Sequence, residues 1–562
     1  MSEEKTGMTG ATVLLKALEQ EGVDVIFGYP GAVLLALYDA LLDSPIRHVL
    51  GRHEQGVVHA ADGYARVSGK VGVCLATSGP GATNLVTGIA NAYLDSIPLV
   101  VLTGQVSTFL LGTDSFQEAD ITGITMPITK HAYLIKDARE IPRIVREAFY
   151  LARTGRPGPV LIDLPKDILA AEDVKTVASD MKLNGYHVVE RADREKISEI
   201  LKALSESQKP VIYAGGGVIT AEAGEVIKQL SEKAGLPVVT TLMGIGSLPA
   251  GHSNLLGMVG MHGCVTANYA VDDCDLLIAV GVRFDDRVTS GLGHTFATNA
   301  KIIHIDIDPA EIGKVVKADI SIIGDARLVL EEVLNGLENC RVPQFTDWWE
   351  RLNAWKTTYP YRFERDRLTP QMVIKTVGEL VGEDTIIVTD VGQHQMWVAQ
   401  FYPIMHSRKL TTSGGLGTMG FGLPAAVGAQ IACPDDLVFL FTGDGSFQMT
   451  IQELATVAHN KLPIKIVLLN NGVLGMVRQW QKMFYEERFS GIQLEGNPDF
   501  LKIAEAYGIH GIQVSSSEQV QSAIAEAIKH PGPVLLNITI SPDEDVFPLV
   551  PPGKAITEML GR

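Results

Sequence analysis

Residues 443–471 read GDGSFQMTIQELATVAHNKLPIKIVLLNN. A carboxylate stands between two glycines at one end, and two amides close an aliphatic run at the other. The "LVFLFT" just before this stretch and the "IKIVLL" near its end are short, unbroken apolar runs, which predicts two buried parallel strands. Between them Thr450 and Glu453 have the spacing of a capping box, and Ile451, Leu454, Ala455 and Ala458 recur with a helical period. The whole stretch therefore predicts one strand–helix–strand crossover. Asp444 then follows the first strand and Asn471 the second, both at the carboxyl edge of one sheet, where open α/β sheets bind ligands.

That pair suits a hard cation. Mg²⁺ takes about six oxygens at about 2.0–2.1 Å and favours few protein ligands beside phosphate oxygens. Asp444 offers a carboxylate, Asn471 an amide oxygen, and the backbone near Val473 a carbonyl. Gly443 and Gly445 let the chain approach a ligand closely, and a helix N-terminus favours an anion. A lone GDG is an ordinary turn; the asparagines one crossover away are what point to a metal–diphosphate site.

The same alternation fills the rest of the chain. In the first 165 residues a helix carries Val13, Leu14, Ala17 and Leu18 on one face, with Thr9 as N-cap and Gly22 as stop. Strands follow at "VDVIFG", "VGVCLAT" and "PLVVLTG". A second unit has "PVIYAGGGV", "LPVVTTL", "DLLIAVG" and "KIIHIDID"; a third has "TIIVTDVG", "LVFLFTGDG", "IKIVLLNN" and "PVLLNITIS". Polar stretches at 166–196 and 335–368 predict linkers. "PGPVLIDL" at 157–164 is echoed by "PGPVLLNI" at 531–538, either as two similar turn-then-strand pieces or as two copies of one domain flanking a different one.

Bulk properties narrow the partners. The chain has 562 residues, long enough for about two to four domains. A net charge of −18 argues against nucleic acid as the main partner. Its five cysteines are scattered and odd in number, against a disulfide framework or zinc site. No apolar run reaches the roughly 18–20 residues of a membrane span, and the first residues do not resemble a secretory or transit peptide. A cytoplasmic setting, away from membrane, is the expectation.

The GDG…NN segment resembles the thiamine-diphosphate motif, and the chain is similar end to end to the catalytic large subunits of the acetolactate synthase (acetohydroxyacid synthase) family. The resemblance implies three α/β domains with doubly wound parallel sheets. These are a pyrimidine-binding domain over 1–170, a central Rossmann-like FAD-binding domain over 195–335, and a diphosphate and Mg²⁺ domain over 369–550. It implies a transferase that decarboxylates pyruvate and joins the two-carbon unit to a second 2-oxoacid, pyruvate or 2-oxobutyrate, in branched-chain amino-acid synthesis. Thiamine diphosphate, Mg²⁺ and FAD are the implied cofactors, the flavin structural because this condensation has no net redox change. An obligate homodimer with shared active sites is also implied. Pairing into tetramers, a small regulatory subunit, valine feedback and the preferred acceptor stay open.

Site residues carry over by position. "RHEQGVVHAADGYAR" at 52–66 resembles the segment bearing the family's glutamate, so Glu54 is expected at N1′ of the aminopyrimidine, pushing that ring toward its imino form. Read alone, Glu54 is a first-turn acid complementing a helix dipole. "VGQHQMW" implies Gln393 and His394 near the diphosphate, and "GLGTMG" implies Gly417 and Met419 at the pyrimidine. In the middle unit "AGGGV" is not a full dinucleotide fingerprint. "GMHG", "GVRFDDRV" and "HIDID" nevertheless resemble FAD contacts, which implies His262, Gly281, Arg283, Asp306 and Asp325, with Arg156 from the first unit. Arg287 is implied to hold the acceptor's carboxylate, a salt bridge with Asp285 or Asp286 being the plain alternative. Phe116, Gln117, Lys166, Met261, Met476 and Val477 match pocket positions, and Trp480 the acceptor's alkyl end. Without the resemblance most of these read as core or solvated surface.

Three departures leave channel shape and herbicide sensitivity open: Ala32 where many relatives have glycine, and Ala36 and Ser107 where many have proline. Two rival readings remain. A pyruvate oxidase would consume oxygen or a quinone, and a nucleotide-binding regulator would release no CO₂ from pyruvate.

Overall fold

Eighteen strands form three parallel sheets of six in the computed structural model, which describes residues 7–175, 180–364 and 366–562. The first six residues of the expected first domain, and 176–179 and 365 in the expected linkers, lie outside the described residues.

The first sheet contains β1 (Val25–Gly28), β2 (Arg47–Leu50), β3 (Gly72–Ala76), β4 (Leu99–Gln105), β5 (His131–Leu134) and β6 (Pro159–Pro165), ordered β2-β1-β3-β4-β6-β5. The second contains β7 (Pro210–Ala214), β8 (Val238–Thr240), β9 (Leu255–Met258), β10 (Leu276–Val280), β11 (Lys301–Asp306) and β12 (Ile320–Ile323), ordered β12-β11-β10-β7-β8-β9. The third contains β13 (Ile386–Thr389), β14 (Leu410–Thr411), β15 (Val438–Gly443), β16 (Lys465–Asn470), β17 (His510–Val514) and β18 (Val534–Thr539), ordered β14-β13-β15-β16-β18-β17. Counted within each unit, the first and third orders are the same and the second differs. The echoed stretches are β6 and β18, which hold the same place beside the last edge strand, so the reading of two like units flanking another matches the topology.

Side chains alternate between the two faces of each sheet. In the first, Val25 and Phe27 enter one core and Ile26 another; Cys74 and Ala76 oppose Val73 and Leu75 in the same way. The core holding Phe27 also holds Leu440, Phe447 and Leu468 of the third unit. Helices Glu54–Ser68 and Gly422–Ala432 cross within it. A Cβ on Gly63 would stand 2.2 Å from the Ala425 carbonyl oxygen, and one on Gly428 1.8 Å from that of Ala60. Glycine is needed at both places because backbone packs on backbone.

One expectation needs correction. The stretch 335–368 is no plain linker, since helix Thr346–Thr358 packs Trp348 and Leu352 into the core of the second unit. Its exposed positions are polar enough to hide that buried stripe. Among the described residues no helix is long and apolar enough to cross a membrane.

Candidate active site

β15 ends at Gly443 and β16 at Asn470, with Gly443 in register with Leu469, so Asp444 and Asn471 leave neighbouring strands at one edge. Asp444 is buried, and its Oδ2 accepts from the Gly472 N–H at 2.9 Å and the Asn497 side-chain amide at 2.7 Å. Burial raises its pKa, opposed by these hydrogen bonds. Asn471 Oδ1 accepts from the Val473 N–H at 3.1 Å, which folds the turn back toward Asp444. The expected crossover therefore brings these groups together. Asn497 is a partner that sequence spacing does not show, because it comes from a distant loop.

The capping box does not form. Helix Asp444–Met449 ends at Thr450, whose hydroxyl donates to the Gly420 carbonyl at 2.9 Å. A 3₁₀ turn, Ile451–Glu453, and a second helix, Leu454–His459, follow. The Glu453 carboxylate is engaged with the first unit, accepting from the N–H groups of Arg52 and His53.

His394 and Gln393 sit at the same edge. His394 is buried with Nε2 unpartnered, and burial lowers its pKa to about 3, so the ring is neutral. Gly392, at φ 153°, and Gly443 leave the ring its space: a Cβ would lie 2.9 Å and 3.1 Å from it, respectively. Gln393 donates to Gln479 Oε1 at 3.0 Å and the Glu544 carbonyl at 2.8 Å, while its own Oε1 has no partner. Buried orphan atoms next to a carboxylate and a turn of amides suit a bound polar group. Among the described residues no group of three or more His, Cys, Asp or Glu is placed to hold a metal ion. A cation here would combine one carboxylate with neutral oxygens and phosphate, as Mg²⁺ does.

The other expected catalytic group opens helix Glu54–Ser68. Glu54 Oε2 accepts from the Asn84 amide at 3.0 Å, and a Cβ on Gly81 would lie 3.2 Å from Oε1. Gly79, at φ 60°, packs on the backbone of Gln117, itself at φ 61°. Glu54 and Gln117 thus meet the same glycine-rich turn after β3. Phe116 is 88% exposed, and Lys166 is exposed at the start of the short helix after β6. These four residues do not line the large cavity described next.

That cavity, about 1760 Å³, joins two of the expected groups. Arg156, His262, Gly281, Arg283, Asp306 and Asp325 line it, as do Met261, Arg287, Met476, Val477, Trp480 and Gly417. Its second-unit wall lies where β10 meets β7, the point at which the strand order reverses. Gly281, at φ 58°, allows this approach, since a Cβ would stand 2.5 Å from Gly217 Cα. Asp306 ends β11, and burial pushes its carboxyl up to about 6. His262 is buried and neutral, its pKa lowered to about 4 by burial. Arg156 already pairs with Glu311 at 2.7 Å and Asp308 at 3.4 Å. Asp325 also caps helix Ala326–Gly336 by accepting from the Leu328 N–H at 3.1 Å.

Arg287 lies over the Trp480 ring at 5.9 Å, and its Nη1 approaches Met261 Sδ at 3.8 Å. Its contact with Asp286, at 3.8 Å, is between exposed groups and contributes little. Trp480 sits on helix Gly475–Phe484, whose only buried residue is Gln479, and is itself half-buried against the cavity. Gly417, at φ 69°, reaches the cavity, whereas Met419 lies beside Gly445 outside it. The preceding N–H groups of Gly414 and Gly415 are held by Asp95, another partner that sequence reading missed.

Comparison with known proteins covers all three units. Residues 8–124, 197–333 and 390–538 match the N-terminal TPP binding, central and C-terminal TPP binding domains of thiamine pyrophosphate enzymes. The chain is 50% identical over 564 residues to the acetolactate synthase of Mycobacterium bovis, covering 98% of this chain and 91% of that one. It is 50% identical over 556 residues to the large subunit of acetolactate synthase from Lactococcus lactis, covering 98% and 96%. A probable large subunit from Methanocaldococcus jannaschii is also 50% identical, over 564 residues, covering 98% and 95%.

Proposed function

Because the chain belongs to the acetolactate synthase large-subunit family of thiamine-diphosphate enzymes, we propose that it decarboxylates pyruvate and joins the two-carbon unit to a second 2-oxoacid. Bound thiamine diphosphate supplies the electron sink for CO₂ loss and the nucleophilic carbon for the condensation. Asp444, Asn471 and the Val473 carbonyl would hold Mg²⁺, while Gly443, Gly445, Gln393 and His394 would surround the diphosphate. Glu54 would hold a proton at N1′ of the aminopyrimidine, with Gln117 beside it and Gly417 and Met419 supplying backbone contacts. Met476 would pack against the cofactor.

The acceptor's carboxylate is assigned to Arg287, whose planar guanidinium suits it. Trp480, Met261 and Val477 would face its alkyl end, and Phe116 and Lys166 would close the pocket. FAD is assigned to the second-unit part of the cavity, between Arg156 and Asp306, without a redox part in the condensation. Glu54 and Asp444 belong to different units, and the exposed Phe116 beside the Glu54 edge favours a homodimer in which each site draws on two chains. Five unpaired cysteines favour a reducing, cytoplasmic setting.

The observation that carries this reading is the edge where Asp444, the Asn471 turn and the unpartnered His394 Nε2 come together. Purified protein should form acetolactate from pyruvate with thiamine diphosphate and Mg²⁺, without consuming oxygen. Oxygen uptake matching pyruvate use would make it an oxidase, and no CO₂ release would overturn the proposal.

A further inference from the structure

The site chemistry leaves the buried carboxylate of Glu453 unused. Glu453 is 2% exposed and ends the 3₁₀ turn that follows the Asp444 helix, yet its hydrogen bonds reach into the first unit. Oε1 accepts from the backbone N–H of Arg52 at 2.9 Å and of His53 at 3.1 Å. Oε2 accepts from the Thr456 hydroxyl at 2.6 Å. Arg52 and His53 are the two residues immediately before Glu54.

This is more than an ordinary helix cap. His53 Nδ1 already accepts from the Gln55 N–H and caps helix Glu54–Ser68. Glu453 instead holds the two peptide groups leading into the helix, from which the Glu54 side chain projects. Asn84 holds the Glu54 carboxylate itself. The fit depends on Gly56, where a Cβ would stand 2.3 Å from Glu453 Oε1 and 2.7 Å from its Cδ. A void of about 10 Å³, lined by Gly51, Gly56, Val57, Glu453 and Thr456 among others, adjoins the carboxylate. It has room for about one water, and so for a small displacement of the carboxylate.

We infer that Glu453 is a positioning residue for Glu54, by which the segment beginning at Asp444 sets the direction of the carboxylate in the first unit. The inference rests on the assignment of Glu54 to the aminopyrimidine. A group displaced by about 1 Å loses on the order of 10²-fold in rate, so a hold on the two preceding peptides has leverage without touching the cofactor.

Three variants of the full-length protein test it: Glu453→Ala removes the acceptor, Glu453→Gln keeps one, and Gly56→Ala pushes the carboxylate toward the void. Two readouts besides turnover are hydrogen exchange of amides 52–56 without cofactor, and exchange of the C2 proton in bound thiamine diphosphate by NMR. Glu453→Ala and Gly56→Ala should speed amide exchange at 52–56 and slow C2 exchange by about 10–100-fold, with thiamine diphosphate affinity within about 3-fold of wild type. Glu453→Gln should restore most of both. Should Glu453→Ala fail to fold, Gly56→Ala alone carries the test. Protected amides at 52–56, or a fall in cofactor affinity matching the slower exchange, would overturn the inference. Normal C2 exchange in these variants, with slowed exchange in Glu54→Gln, would overturn it alone. Normal exchange in Glu54→Gln would overturn the Glu54 assignment and this inference together.

Discussion

The first and third sheets share one strand order but present unlike edges. After β15 the chain gives a buried Asp444 fixed by Gly472 and Asn497, with His394 and Gln393 holding unpartnered atoms beside it. After β3 it gives a glycine-rich turn, with Asn84 on Glu54 and an exposed Phe116 nearby. The repeated frame fixes where carboxyl edges lie. The few residues that follow the central strands decide which chemistry each edge supports.

The largest test of that contrast is Asp444→Ala. Losing the Asp444 carboxylate from the third-sheet edge should lower activity on the order of 10³-fold and weaken Mg²⁺-dependent cofactor binding, which calorimetry would show. Near-normal binding would mean that this edge is not the diphosphate site. Glu54→Gln should act differently, slowing the proton-transfer step by about 10²–10⁴-fold while the cofactor still binds. Mixing the two inactive chains sharpens the point. If each site takes Glu54 from one chain and Asp444 from another, random reassembly should restore about a quarter of wild-type activity. No recovery would mean that both come from one chain.

A smaller effect is expected at the cavity. Trp480→Leu should reduce any preference for 2-oxobutyrate over pyruvate as acceptor, by at most about 10–200-fold for one methylene. A competition assay reads this as a product ratio, and an unchanged ratio with both rates lowered would make Trp480 structural. The smallest belongs to Ser107. Its φ of −56° already suits proline, and its side chain makes no cap hydrogen bond. Ser107→Pro should therefore stabilise the protein by about 0.4–1 kcal/mol, visible in the urea midpoint. A clear loss of stability would show that the Ser107 N–H or the preceding residue needs what proline removes.

Twelve of the strands could be read from the sequence, and the six that escaped are the edge strands β2, β5, β9, β12, β14 and β17. The reason is physical. Central strands are buried on both faces and appear as unbroken apolar runs, whereas β2 and β17 are largely exposed and β12 alternates. Asp444 and Asn471 were legible because one crossover separates them. Asn84, Asp95 and Asn497 were not, since each acts on a site residue across a distance that no local pattern records. Thr450 and Glu453 misled for a related reason: their spacing was right for a cap, but each side chain bonds elsewhere.

The core shared by the outer units also bears on how the chain is made. Helix Glu54–Ser68 covers the first sheet but must wait for helix Gly422–Ala432, which leaves the ribosome much later, so the first unit emerges with the far side of that helix uncovered. The middle unit has a core of its own, drawn from residues 197–352 with Ile556 joining last, and most of it can form meanwhile. Synthesis therefore passes through a long interval in which the oldest part of the chain is the least complete, and it is there, rather than in the finished enzyme, that a chaperone has most to protect.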